Sequence, residues 1–315
     1  MTLLQIHRYD PQDVQFDDAL VSSAVVWIKN TPPPPDHQVT FTYGGTLATP
    51  AIRREVAAAA LTKEAKWTRY PQADKASVRA EITLGDLFDI KRGLATGDNG
   101  YFIMTREQIA QRGLPIECFT PVLPSSRHIP EDEIMADLDG LPILDKPLFL
   151  LDTRLPEDEI AARYPALQAY LDTGKGGEKA VSNRYLCKAR RPWYGQEKRP
   201  AAPIICTYMG RGRAGAKPFR FILNHSKACN VFLMLYPKPI FTRATTEHPD
   251  IMRAVWTFLN DIDTDELLGY GRVYGGGLHK LEPKELRGFP AMDLVKLLPS
   301  IESLQNQLDF HNRAA

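Results

Sequence analysis

The segment Ala19-Leu-Val-Ser-Ser-Ala-Val-Val-Trp-Ile28 is rich in β-branched residues and predicts a strand buried on both faces. The preceding segment Leu3-Leu-Gln-Ile-His-Arg-Tyr9 also predicts a strand, and Asp10-Pro11 and Asp17-Asp18 mark turns between the two. Two strands alone do not make a stable unit. We therefore expect this hairpin to complete a larger sheet.

The segment Thr31-Pro-Pro-Pro-Pro-Asp36 predicts a stiff polyproline II spacer that cannot continue a strand. We interpret it as a linker between two parts of the chain, residues 1–30 and residues 37–315. After it, Val39, Phe41 and Tyr43 alternate with polar residues up to Gly44-Gly45, which indicates a half-buried strand. Thr49-Pro50 then predicts the start of a helix that runs through the alanines to Leu61.

Further helices are predicted by apolar residues at helical spacing and by capping residues. These are a helix over 156–173, a capping box at Thr105 and Gln108, a stripe of Ile251, Val255, Phe258 and Ile262, a start at Asp263 with Glu266, and a C-terminal stripe of Leu297, Ile301, Leu304 and Leu308. With the strands, they predict an α+β fold in which the terminal hairpin is followed by a mixed α/β domain.

The composition excludes several classes of protein. The apolar run Ala24–Ile28 is far too short to span a bilayer, and the first residues lack the pattern of a signal peptide, so we expect a cytoplasmic protein. The four cysteines are widely separated and the histidines are scattered, which gives no sign of a disulfide framework or a metal site.

Charge is unevenly distributed along the chain. Residues 131–172 carry eleven acidic and three basic side chains, whereas residues 183–227 carry eleven basic side chains and one acid, Glu197. The basic stretch also contains six aromatic residues. Cations mixed with aromatics suit a surface that binds nucleic acid, although a solvated face is the simpler explanation of any charge run.

Gly210-Arg-Gly-Arg-Ala-Gly215 matches a dinucleotide-binding pattern, but a segment with strand character follows where that motif needs a helix. We instead predict a β-hairpin, 203–209 against 219–224, with Arg211, Arg213 and Lys217 at its tip. Such a tip fits a DNA groove or its phosphates, and a merely solvated tip is the alternative.

Two other glycine-rich segments leave two explanations each. The loop from Lys91 and Arg92 to Asn99 suits either phosphate binding through backbone N–H groups or a tight turn. The segment from Tyr274 to Leu286 suits either close approach to a partner or a hinge. Its His279 has no acidic partner at a fixed spacing, so we do not expect it to be catalytic.

Four pieces of the sequence resemble the C-terminal part of TaqI-like adenine-N6 DNA methyltransferases of restriction–modification systems, and they occur in the family's order. The pieces are Ile6-His-Arg-Tyr-Asp-Pro11 with 17–27, Ile90-Lys-Arg-Gly-Leu-Ala-Thr-Gly-Asp-Asn99 with Phe102-Ile103, Leu223-Asn-His-Ser-Lys227, and Gly275-Gly-Gly-Leu-His-Lys-Leu-Glu-Pro-Lys-Glu-Leu286.

The resemblance implies that residues 1–30 are the last strands of a catalytic methyltransferase sheet and that residues 37–315 are a target-recognition domain that binds double-stranded DNA. It also implies base flipping and methyl transfer from S-adenosylmethionine to adenine. The residues expected to contact DNA are Lys91, Arg92, Thr96, Asn99, Arg190, Arg191, Arg211, Arg213, Lys217, His279 and Lys280.

The sequence departs from this family in two motifs. It contains neither a glycine-rich methyl-donor loop after a first strand nor an Asn-Pro-Pro-Tyr motif. No catalytic residue and no cofactor site can therefore be assigned in this chain, and a separate catalytic half or subunit is expected as a partner. The alternative function is a stand-alone DNA-binding or specificity protein without catalysis.

Overall fold

The computed structural model describes residues 1–19, 21–62, 67–68, 70–71, 82–211, 217–248 and 250–296. Its strands are β1 (Thr2–Arg8), β2 (Ala24–Lys29), β3 (Gln38–Gly45), β4 (Pro50–Ala57), β5 (Phe88–Arg92), β6 (Ile103–Thr105), β7 (Phe119–Val122), β8 (Glu133–Ile134), β9 (Leu148–Leu151), β10 (Ile204–Cys206), β11 (Met209–Arg211), β12 (Phe221–Asn224), β13 (Leu233–Pro237), β14 (Arg272–Tyr274) and β15 (Leu278–Lys280).

The helices are α1 (Ala58–Leu61), α2 (Leu84–Leu87), α3 (Asn99–Phe102), α4 (Arg106–Gln111), α5 (Glu157–Arg163), α6 (Pro165–Thr173), α7 (Tyr185–Lys188), α8 (Pro239–Glu247), α9 (Asp250–Asp261), α10 (Thr264–Tyr270), α11 (Pro283–Arg287) and α12 (Met292–Lys296). Parallel and antiparallel pairings both occur in the sheets. The fold is α+β, as predicted. The predicted C-terminal helix over 297–308 lies outside the described residues.

The chain forms two compact units, and it passes between them several times. The first unit comprises Met1–Asp86, Tyr208–Phe219 and the chain from Asp261 onward. The second unit comprises Leu87–Thr207 and Arg220–Asn260.

A four-stranded sheet in the order β2-β1-β3-β4 opens the first unit. Strand β1 pairs antiparallel with β2 and parallel with β3, so strands on both sides of the proline segment belong to one sheet. Strand β2 lies at the edge, and its Val26 and Ile28 are 48% and 55% exposed. The expected burial of this strand on both faces is therefore wrong for the described residues. The assignment of residues 1–30 to a catalytic sheet stays a prediction.

The predicted helix from Pro50 to Leu61 is wrong over most of its length. Residues Pro50–Ala57 form strand β4, which pairs antiparallel with β3 across a turn at Thr46–Thr49, and only α1 is helical. Pairing with β3 buries Val56 against Val39 and Phe41, and this tertiary gain outweighs the helix propensity of the alanines.

The second unit is built on a five-stranded sheet in the order β5-β13-β10-β12-β8. A second, three-stranded sheet in the order β6-β9-β7 packs its Met104, Phe119 and Phe149 in one core cluster with α5 and α6. Because Pro165 restricts the residue before it, Tyr164 leaves the helical region and divides the expected single helix over 156–173 into α5 and α6. The predicted capping box at Thr105 and Gln108 and the cap at Asp263 are confirmed. The helix predicted from the stripe Ile251 to Ile262 is confirmed as α9, which ends just before Ile262.

The predicted hairpin over 203–224 is half confirmed. Strands β10 and β12 pair antiparallel, with Ile205 opposite Ile222. Strand β11, however, pairs with β15 in a separate three-stranded sheet of the first unit, in the order β11-β15-β14. Arg211 therefore lies in a paired strand and not at a free hairpin tip.

Candidate nucleic-acid interface

The loop that follows β5 is anchored at its base by backbone hydrogen bonds in the second unit. The N–H of Gly93 donates to the carbonyl of Phe232 at 2.6 Å, and the N–H of Leu94 donates to the carbonyl of Asn230 at 2.7 Å. A Cβ at position 93 would lie 2.3 Å from the carbonyl oxygen of Asn230, so only glycine fits this approach. The loop thus leaves the sheet in a fixed direction.

The end of this loop is a tight turn, which was one of the two explanations open from the sequence. The hydroxyl of Thr96 donates to Asn99 Oδ1 at 2.6 Å and accepts from the N–H of Asp98 at 3.1 Å. Thr96 is only 2% exposed. We therefore assign Thr96 to holding the turn and not to contacting DNA, whereas Asn99 is exposed.

Three arginines from the basic stretch bind carbonyl oxygens of this loop or of Arg92, the strand residue just before it. Arg190 donates to the carbonyls of Thr96, at 2.8 Å, and Ala95. Arg184 donates to the carbonyl of Gly97 at 3.0 Å and pairs with the carboxylate of Asp98 at 2.9 Å. Arg199 donates to the carbonyl of Arg92. We call Arg184, Arg190 and Arg199 the arginine clamp.

The clamp changes the expected role of Arg190. Its guanidinium group is directed at two backbone carbonyls of the loop, so we assign it to positioning the loop and not to contacting phosphate. Arg184 and Arg199 were not among the expected site residues. Their position in the basic stretch was the only signal that the sequence offered for them.

The short helix α7 packs its Cys187 against the loop and turns other side chains outward. Cys187 is buried, and burial raises the pKa of its thiol. An added Cβ at Gly97 would lie 3.0 Å from Cys187 Sγ, which shows how closely the helix meets the loop. Tyr185, by contrast, is 86% exposed. We define the Tyr185 surface as the exposed residues Asn99, Arg184, Tyr185, Lys188 and Arg191.

Lys91 and Arg92 lie on β5, which forms one edge of the five-stranded sheet. Both side chains are exposed. The Lys91 ammonium group lies 5.9 Å from the centre of the Tyr236 ring. Their contact with DNA stays a prediction.

The remaining expected site residues belong to the first unit. Lys280 pairs with Glu282 at 2.9 Å, and the exposed Arg211 lies opposite Leu278 in the β11–β15 pair. Lys217 is exposed. Arg213 lies outside the described residues.

His279 is half-buried in the middle strand of its sheet, opposite Gly210 and Val273. Its Nδ1 atom is buried and has no hydrogen-bond partner among the described residues. Burial lowers the pKa of His279, so its imidazole is neutral at neutral pH. A neutral, half-buried ring does not bind phosphate as a cation would.

Within the described ranges, no group of three His, Cys, Asp or Glu side chains is arranged to hold a metal ion. In the same part of the chain, no helix combines the length and apolar character needed to cross a membrane.

Comparison with known proteins identifies the family. The family model "Type II methyltransferase M.Eco57I, C-terminal domain" matches residues 66–314. The chain belongs to this family. The predicted resemblance to the C-terminal part of restriction–modification methyltransferases is thereby confirmed.

Two relatives align with most of this chain. Type II methyltransferase M.XamI of Xanthomonas campestris pv. amaranthicola is 28% identical over 270 residues, which are 85% of this chain and 44% of the relative. Type II methyltransferase M.AccI of Acinetobacter calcoaceticus is 26% identical over 236 residues, which are 74% of this chain and 41% of the relative. The chain thus spans less than half the length of these relatives.

The family match includes the Tyr185 surface and the arginine clamp, whereas strands β1 to β4 precede it. Both units contribute to the matched region. The loop, the clamp and α7 are therefore features of the C-terminal domain itself.

Proposed function

We propose that this chain is the target-recognition part of a site-specific adenine-N6 DNA methyltransferase of a restriction–modification system. The observation that carries the proposal is the Tyr185 surface, in which a rigid loop and a short helix present cations and an aromatic ring to solvent. The membership of the chain in a family of methyltransferase C-terminal domains supports DNA as the partner. Cations on a fixed scaffold bind phosphates and set the register of a protein on a duplex.

Methyl transfer from S-adenosylmethionine is assigned in this proposal to residues outside the chain. The sequence has no Asn-Pro-Pro-Tyr motif and no glycine-rich donor loop. More than half of the length of each relative lies outside the aligned region, which leaves room for a methyl-transfer half. The exposed edge strand β2 is where we expect that half to dock, because its unpaired backbone groups can extend a sheet.

The test measures DNA binding at several salt concentrations, with the fluorescence anisotropy of a labelled duplex as the readout. The plot of log affinity against log salt concentration has a negative slope, and each phosphate contact that is lost reduces the magnitude of this slope by about 0.9. The double variant Lys188→Ala, Arg191→Ala removes two exposed cations of the Tyr185 surface. We therefore expect the magnitude of its slope to be about 1–2 units smaller than that of the unmodified chain.

The matched control is Arg127→Ala, Lys146→Ala, which removes two exposed cations from other segments of the same unit. Both double variants change the net charge equally, so a general effect of charge lowers both slopes alike. Equal slopes in the two double variants contradict the assignment of the Tyr185 surface to DNA. Absence of DNA binding by the unmodified chain contradicts the proposed function as a whole.

A further inference from the structure

Tyr185 is the most exposed aromatic side chain of the part of the chain that the structure describes, at 86%. Other tyrosines of the second unit are packed and hydrogen-bonded. Tyr101 stacks on Tyr170 and donates to its carbonyl, and the buried Tyr194 donates to the carbonyl of Leu155. A large aromatic ring left in water gains nothing for the stability of the fold, because burial is what makes such rings stabilising.

The scaffold beneath this ring is fixed. Tyr185 is the first residue of α7, and Cys187, two residues further along the same turn, is fully buried against the loop. On the other side, Arg184 joins the start of the helix to Gly97 and Asp98 by a hydrogen bond and an ion pair. The ring therefore projects from a backbone that is held at both ends.

The surroundings of the ring favour a polyanion whose bases have exposed faces. Lys188 and Arg191 are exposed cations that follow it in sequence. The nearest acid of the loop, Asp98, is neutralised by Arg184, so it does not repel phosphate. Leu186, the next residue in sequence, is 37% exposed and adds apolar surface to α7. An aromatic face next to phosphate-binding cations is the arrangement by which proteins stack on nucleobases.

We propose that Tyr185 stacks on a nucleobase of DNA while the neighbouring cations hold the phosphates. This inference rests on the proposed function, because it needs DNA to be the partner of the chain. Stacking uses the ring and not the hydroxyl group. The base belongs either to a step of the paired duplex or to an unpaired nucleotide, and both present the same aromatic face.

The experiment measures the affinity of the chain for two fluorescein-labelled DNA duplexes, one fully paired and one with a single unpaired adenine. Three substitutions of Tyr185 test the contributions of its aromatic ring, its hydroxyl group and its apolar bulk separately. Tyr185→Ala removes the ring, Tyr185→Phe keeps the ring without the hydroxyl, and Tyr185→Leu keeps apolar bulk without an aromatic face. Leu138→Ala is the matched control, because Leu138 is a fully exposed apolar residue in the acidic stretch of the same unit. Thermal melting checks that each variant is folded.

We expect Tyr185→Ala to weaken DNA binding roughly 5- to 150-fold, which is the usual effect of losing one base stack. Tyr185→Phe keeps the wild-type affinity, Tyr185→Leu behaves like the alanine variant, and Leu138→Ala changes nothing. A loss with both duplexes identifies a paired base step, and a loss with the unpaired duplex alone identifies an unpaired base.

Wild-type affinity in folded Tyr185→Ala overturns the inference and leaves the proposed function intact. Wild-type affinity in Tyr185→Leu, or a loss in Tyr185→Phe equal to that in the alanine variant, also overturns stacking. If the wild-type chain binds neither duplex, the proposed function fails and the inference fails with it.

Discussion

Arg190 and Arg191 are neighbours in sequence that use their guanidinium groups differently. Arg190 donates to the carbonyls of Ala95 and Thr96, which are 95 and 94 residues away along the chain. Arg191 is exposed and donates to the carbonyls of Lys188 and Arg190, close to its own position. Hydrogen bonds from a charged group to backbone carbonyls far away in sequence stabilise the fold more than local ones on the surface.

We therefore expect Arg190→Ala to lower the free energy of unfolding by about 1–3 kcal/mol, because two loop carbonyls lose a charged donor. Arg191→Ala should cost less than about 0.5 kcal/mol, as is usual for exposed surface residues. Urea denaturation of the two variants measures both values. Equal destabilisation by the two substitutions would contradict the positioning role of Arg190.

The two arginines also show what sequence reasoning could find at this scale. The density of basic residues after Asn183 was visible, and it led to the stretch that contains the arginine clamp. The sequence could not show which of these cations bind the protein's own backbone, because the carbonyls of residues 92–97 contact the arginine clamp only in the folded chain. Thr96 was likewise expected at the surface because its type suits exposed loops, whereas the turn buries it.

The loop from Gly93 to Asn99 acts as one element, because its base, its turn and its contact with α7 are all fixed. Gly97 has φ +89°, a backbone conformation that side chains other than glycine rarely adopt, and it also touches Cys187. Gly176 has nearly the same φ of +85°, but an added Cβ there would have no neighbour within 4 Å. Substituting alanine at Gly176 therefore measures the cost of backbone strain alone, whereas substituting alanine at Gly97 adds the cost of displacing α7.

We expect Gly176→Ala to destabilise the fold by about 1–2 kcal/mol through backbone strain alone. Gly97→Ala should cost more, because the new methyl group also presses on α7, and it should weaken DNA binding by moving Tyr185. Chemical denaturation and anisotropy titration of both variants test this expectation. Similar losses of DNA affinity in the two variants would show that the contact between loop and helix does not matter for binding.

Other elements show where local sequence patterns fail. The alanine-rich segment after Pro50 has helix propensity, but the adjacent β3 offers it a partner that buries Val56. The pairing of β11 with β15 joins residues 67 to 71 positions apart, which no local pattern reveals. The predicted elements that were confirmed, such as the capping box at Thr105 and the helix at Ile251, depend on interactions within a few residues.

At the scale of the whole molecule, the missing donor motifs lead to a prediction about the cofactor. We expect the isolated chain to bind no S-adenosylmethionine, so calorimetric titration should show no specific heat of binding. If the proposed function holds, a chimaera that joins this chain to the part of M.XamI outside the aligned region should bind S-adenosylmethionine and methylate DNA.

Micromolar affinity of the isolated chain for S-adenosylmethionine would contradict the proposal that residues outside this chain bind the cofactor. Strong DNA binding by the chain together with a folded but inactive chimaera would favour the alternative of a stand-alone specificity protein. DNA binding and cofactor binding are thereby tested separately.

The passage of the chain between the two units has a consequence for synthesis on the ribosome. The second unit ends at Asn260, so all of its residues are translated before the last part of the first unit. Strand β11 of the first unit must wait for β15, which lies beyond residue 277, before it has its partner. Because domains fold as their residues become available, we expect nascent chains to complete the unit bearing Tyr185 first and the unit containing the chain's own N-terminus last.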